Sequence, residues 1–110
     1  MNQAEQIELS IQQARAKVEL MQAVQRLISN KDFDKVITEG YFKEEASRLV
    51  LLKADSAMQS AENQHSIEQD INAIGRFRLY VVNQIKLGEM ALRAIQEDEA
   101  TREELLKEGL

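Results

Sequence analysis

The sequence contains no proline, no cysteine and no tryptophan, and only four of its 110 residues are glycine. Without proline, nothing forces a long helix to break. Without cysteine, disulfides, thiol catalysis and cysteine-based metal sites are all excluded. Aromatic residues are scarce, and β-branched and aromatic residues never gather into alternating runs, so no strand is expected. The longest strictly apolar run is Leu49-Val50-Leu51-Leu52. A membrane span needs about 20 such residues. No basic stretch followed by an apolar one opens the chain, so a secretory signal is not expected.

What is present favours helix. Gln, Glu, Ala, Leu, Lys and Arg dominate, and all are good helix formers. The length allows one domain at most. Apolar residues make up 44% of the chain, too many for obligate disorder.

The formal charge of −5 is unevenly placed. From residue 97 onward six acids (Glu97, Asp98, Glu99, Glu103, Glu104, Glu108) face only Arg102 and Lys107, so this end alone is net −4. The rest is close to neutral. Neither part carries the basic footprint that duplex DNA or RNA requires, and nucleic acid is not an expected partner. The organisation expected is a helical domain over 1–96 with an acidic helical extension, or a frayed tail, over 97–110.

Three helical segments can be read. In the first, about 4–29, Ile7, Ile11, Ala14, Val18, Met21, Gln25 and Ile28 recur at alternating spacings of four and three, one stripe on a helix. A second row, Leu9, Ala16, Leu20, Ala23 and Leu27, widens the apolar face enough to meet two neighbours. Asn30 or Asp32 can then cap a new helix. Along that middle segment, Phe33, Val36, Ile37 and Gly40 share one face. Phe42, Ala46, Leu49 and Val50 point to the other at ~100° per residue. The segment is therefore either broken or kinked near Gly40 or buried on both sides, and the cost of glycine inside a helix favours a break or kink.

Polar residues from Ala54 to Asn63 mark a loop, with Ser60 placed to cap the third helix. That third segment, about 61–104, is the most regular: Ile67, Ile71, Ile74, Arg78, Val81, Ile85, Gly88, Leu92 and Ile95 again alternate by four and three. The fold expected is all-α: an antiparallel hairpin of the first and third helices with a shorter, kinked middle helix, as a three-helix bundle or coiled-coil-like assembly.

No constellation carries chemistry. His65 is the only histidine, and a zinc site would need further ligands. Asp32 and Asp34, and Glu44 and Glu45, suit capping and solvation better than a hard-cation site. The glycines are isolated, so no phosphate-cradling loop exists. Arg76, Arg78, Lys86 and Arg93 read as a solvated face, except that Arg78 falls within the stripe and can pair with an acid across an interface. Phe33, Tyr41 and Phe42 cluster within ten residues, and aromatics dominate binding hot spots. The candidate protein interface is Phe33, Tyr41, Phe42, Arg78, Ile85 and Leu92. Catalytic, cofactor and metal residues are none.

The stretch from Asn30 to Val50 (NKDFDKVITEGYFKEEASRLV), with Met58-Gln59-Ser60 and Asp70-Ile71-Asn72-Ala73-Ile74-Gly75, resembles a group of small, uncharacterised helical proteins of tailed bacteriophages, often encoded near virion-structure genes. The resemblance covers about two thirds of the chain. Its most specific part is the Asp-Phe…Gly-Tyr-Phe…Arg-Leu-Val signature. It implies a location in the virion or host cytoplasm and carries over no catalytic residue. The expected function is that of a non-enzymatic structural or interaction protein of a phage particle. Such a protein would bind itself or a head, portal, connector or tail component through apolar helix faces, with no membrane or small-molecule substrate. The alternative is an infection-stage regulator that binds and inhibits a host or phage enzyme.

Overall fold

A computed structural model describes residues 2–109, and every regular element among them is helical. Helix α1 spans Gln3–Ile28. Helix α2, residues 31–54, begins as α-helix at Lys31–Phe33 and widens into a π-type winding over Asp34–Glu45. It returns to α-helix at Ala46–Ala54. After a 3₁₀ turn at Ser56–Met58, α3 runs unbroken over Ala61–Lys107.

The helix ends fall where short polar side chains can accept orphaned amides. Asn2 Oδ1 accepts from the Glu5 amide at 2.8 Å. Asn30, not Asp32, caps α2, its Oδ1 accepting from the amides of Asp32 at 2.9 Å and Phe33 at 3.0 Å. Ser60 Oγ accepts from Asn63 at 3.1 Å and opens α3. Gly109, at φ +77°, takes the left-handed conformation that closes a helix, its amide donating to the Leu106 carbonyl.

The residues gather into two compact units, Met1–Gln25 with Asn83–Leu110 in one and Arg26–Val82 in the other. In the first unit, α1 and the second half of α3 run antiparallel. Val18, Met21 and Ala91 are buried together, with Ala14, Ile85 and Ile95 packed against them. Gly88 faces Met21, and a methyl group there would overlap it. Ile11 is completely buried, which is worth about 2–3 kcal/mol for such a side chain. Further along, Arg102 Nη1 meets Glu8 Oε2 at 2.6 Å and Ser10 Oγ donates to Asp98 Oδ2 at 2.9 Å. Residues 97–107 are thus helical, with part of their charge turned toward α1.

In the second unit, α2 lies antiparallel to the first half of α3. Leu49, Ile67 and Ile74 form the core, flanked by Tyr41, Phe42, Ala46, Leu52, Met58 and Ile71. The turn between the helices is tied by two amide side chains. Gln59 Nε2 donates to the carbonyls of Lys53 and Asp55 at 2.9 and 2.7 Å, and Gln64 Nε2 to those of Lys53 and Met58, both at 2.9 Å. They satisfy carbonyls that the end of α2 and the 3₁₀ turn leave without helical partners. Lys53 Nζ also pairs with Glu68 at 3.0 Å.

The irregularity expected near Gly40 takes the form of the π winding rather than a broken helix. Each π-type bond closes to the fifth residue back, so the chain turns more slowly per residue than an α-helix. Over the twelve residues of the winding the delay amounts to about half a turn. That brings Phe42, Ala46 and Leu49 round to the side of Ile37, while Val36 and Val50, from the two faces read in the sequence, stay exposed. Gly40 leaves room for the wide turn, because a Cβ there would stand 3.0 Å from the Lys35 carbonyl oxygen.

Candidate interaction surface

The winding of α2 determines what its aromatic residues can meet. Tyr41 and Phe42 both turn toward α3, where Phe77 receives them. The Tyr41 and Phe77 rings stand edge to face, with centroids 6.2 Å apart and planes at 82°. Phe42 and Phe77 lie 5.3 Å apart at 50°, and Tyr41 and Phe42 6.1 Å apart at 46°. These separations lie in the attractive range for ring pairs.

Beside this cluster an open cleft of about 430 Å³ runs between α2 and α3. Val36, Ile37 and Tyr41 form one wall, and Leu49 and Ile74 form the base. Gly40 and Ala73 are too small to fill it. Glu45 and Asp70 supply its acids. Arg48 grips Glu45 with its guanidinium, Nε lying 2.9 and 3.2 Å from the two carboxylate oxygens and Nη2 also reaching Oε1. The hydrogen bonds from Arg48 hold the Glu45 carboxyl below the usual carboxylate range. Arg48 itself is raised, by its bonds to Glu45 and then by the field of Glu45 and of Asp70. The cleft is thus a largely apolar trough with an ion-paired carboxylate at its edge. Among the described residues no three metal-binding side chains converge, and none of their buried side-chain nitrogen or oxygen atoms lacks a hydrogen bond.

The six interface residues read from the sequence are divided between the two units. Tyr41 and Phe42 meet in the aromatic cluster, and Phe33 is half-buried earlier in the same helix. Ile85 packs against the Val18, Met21 and Ala91 cluster of the first unit. Arg78 is exposed and stands outside the core of the second unit, although the stripe had included it. Leu92 is 40% exposed, while its neighbour Ala91 takes the buried position. The residue that sequence reasoning missed is Phe77. The signal for it is present: Ile74, Phe77 and Val81 fit the three–four alternation as well as Ile74, Arg78 and Val81 do.

Around both units large apolar side chains stay uncovered. In the second unit Leu51 is 73% and Tyr80 57% exposed, and Val36, Val50 and Leu79 are also more than half exposed. In the first unit Leu9, Leu20, Leu87 and Met90 are exposed. No helix among the described residues is long and apolar enough to cross a membrane.

The architecture makes this an all-α protein with an interhelical groove in each unit. No protein-family pattern matches the chain, and no curated protein or solved structure matches it.

Proposed function

We propose that the chain is a non-enzymatic structural or interaction protein of a tailed-phage particle, and that it works by burying apolar helix faces against partner proteins. The observation that carries the mechanism is the set of large apolar side chains left on helix surfaces, with Leu51 and Val36 the most exposed of the second unit. Scattered exposed apolar residues are ordinary, but Val36 on the open cleft and Val50 and Leu51 together further along the same helix make an interaction surface. Covering such surface is worth about 25 cal/mol per Å² before the costs of association. The phage setting rests on the sequence resemblance alone.

The competing reading, a regulator of a host or phage enzyme, draws on the acidic end as a mimic of nucleic-acid charge. The engagement of Asp98 with Ser10, of Arg102 with Glu8 and of Glu99 with Arg15 at 3.9 Å favours a structural use of that end. The test is mass spectrometry of purified particles. The protein at a fixed copy number in intact virions is the expected result. Its absence from virions, with recovery of a host enzyme on pull-down from infected cells, overturns the proposal.

A further inference from the structure

The first unit has a feature that its own two helices leave unfinished. On one side of the α1 and α3 pair lies a groove of about 270 Å³. Gln13, Ala14, Ala91 and Ala94 line its middle, and Leu87 and Met90 rise along the α3 edge. Leu9 and Leu20 belong to the second apolar row of α1, and both are exposed. The groove has one charge near each end. Lys17 lines it at one end, and at the other Ser10 holds Asp98. Ser10 and Lys17 are seven residues apart on α1, which is about 10 Å along the helix.

We propose that this groove is the docking site for a second copy of the same chain, related by a two-fold axis passing near Ala14, Ala91 and Ala94. Three observations select this occupant. The alanines lie between the two charges, so a two-fold axis there places Lys17 of each copy over Asp98 of the other. Both charges are then opposed by a complement, as an isologous contact requires. The alanines at the centre let helices approach closely, while the leucines of each copy cover those of its mate. A stable interface takes about 800 Å² from each partner, and Leu9, Leu20, Leu87 and Met90 of this unit are all at least 40% exposed and offer apolar area to it.

This inference rests on the reading of the chain as a helix-face interaction protein, and it names one partner and one face. Sedimentation equilibrium on the full chain tests it. The expected result is a dimer at micromolar concentration. Leu87→Glu, at an exposed position, should give a monomer with unchanged helical circular dichroism. Leu51→Glu, in the second unit, should leave the dimer intact. Lys17→Glu and Asp98→Lys should each weaken association at least about tenfold, and the two together should restore it. A wild-type monomer at ~100 μM, far above the dissociation constant of a standard interface, overturns the inference and leaves the groove to a foreign helix. A dimer indifferent to Leu87→Glu, or charge swaps that fail to rescue each other, also overturns it. None of these outcomes bears on whether the protein is found in virions, so failure here is distinct from failure of the proposed function.

Discussion

Gly88 lies so close to Met21 that a Cβ built on the glycine would stand 2.2 Å from the Met21 Cβ. No rotamer change can relieve an overlap with a Cβ, because that atom is fixed by the backbone. The α1 and α3 backbones would have to separate. Gly88→Ala should therefore destabilise the protein by about 1–3 kcal/mol, the usual cost of overpacking, although alanine is the better helix former. Gly75, on the same helix, has nothing within 4 Å of its missing Cβ. Gly75→Ala should gain up to about 1 kcal/mol. Urea denaturation of both variants checks the contrast. Equal shifts in the same direction would show that α1 and α3 are not in contact at Gly88.

The cap of α2 gives a second contrast, two residues apart. The Asn30 side chain accepts from both Asp32 and Phe33, whereas Asp32 lies inside the first turn. Asn30→Ala should cost about 1 kcal/mol by leaving those amides without a partner. Asp32→Ala removes only a favourable charge near the helix start, a smaller loss at an exposed site. Thermal melts of the two variants decide between them, and the larger loss at Asp32 would place the cap there.

The stripes read in the sequence locate the helices, and Asn30 and Ser60 mark two of their starts. The reading misplaces what happens beside the stripes. In α3, Ile67, Ile74, Val81, Gly88 and Ile95 recur every seven residues and all are buried or half-buried. The residue that accompanies them changes. Ile71 and Ile85 lie four positions after a stripe member, whereas Phe77 and Ala91 lie three after. Both spacings put a neighbour on the same helix face, so the pattern alone cannot choose between Ala91 and Leu92 or between Phe77 and Arg78. The side on which the packing helix lies makes that choice. The π winding is hidden for a different reason: phases in α2 counted at the α-helical angle miss a wide turn that alters the angle itself.

The pair of Glu45 and Arg48 supplies a prediction in pH. Because Arg48 holds the Glu45 carboxyl below its ordinary value, the folded state keeps this group ionised to lower pH than the unfolded chain does. Its contribution to stability is present above the unfolded value of about 4.3 and fades as pH falls through the folded one. The group is solvent-exposed, so the contribution is small and weakened by salt. In an NMR titration the Glu45 side-chain carbon should turn over below the ordinary glutamate value. In Arg48→Gln it should move upward, and no movement would show that the guanidinium is not the cause.

The aromatic cluster can be separated from simple burial. Phe77 is 41% exposed, so Phe77→Ala should cost less than the 3–5 kcal/mol of a fully buried phenylalanine, about 1–2 kcal/mol. Because the Tyr41 and Phe77 rings also bury each other, their losses couple through packing as well, and a ringless apolar control is needed to separate the two effects. The edge-to-face placement of the two rings adds an attraction between the electron-rich face of one and the positive rim of the other, worth about 0.5–1.5 kcal/mol. Tyr41→Ala, Phe77→Ala and the double variant form a cycle that measures the whole coupling between the two side chains. Tyr41→Leu keeps apolar bulk without a ring and should show most of the same loss of coupling. If the cycle closes within about 0.3 kcal/mol, the rings are neighbours without mutual attraction. Their role would then reduce to filling the space that the π winding of α2 opens toward α3.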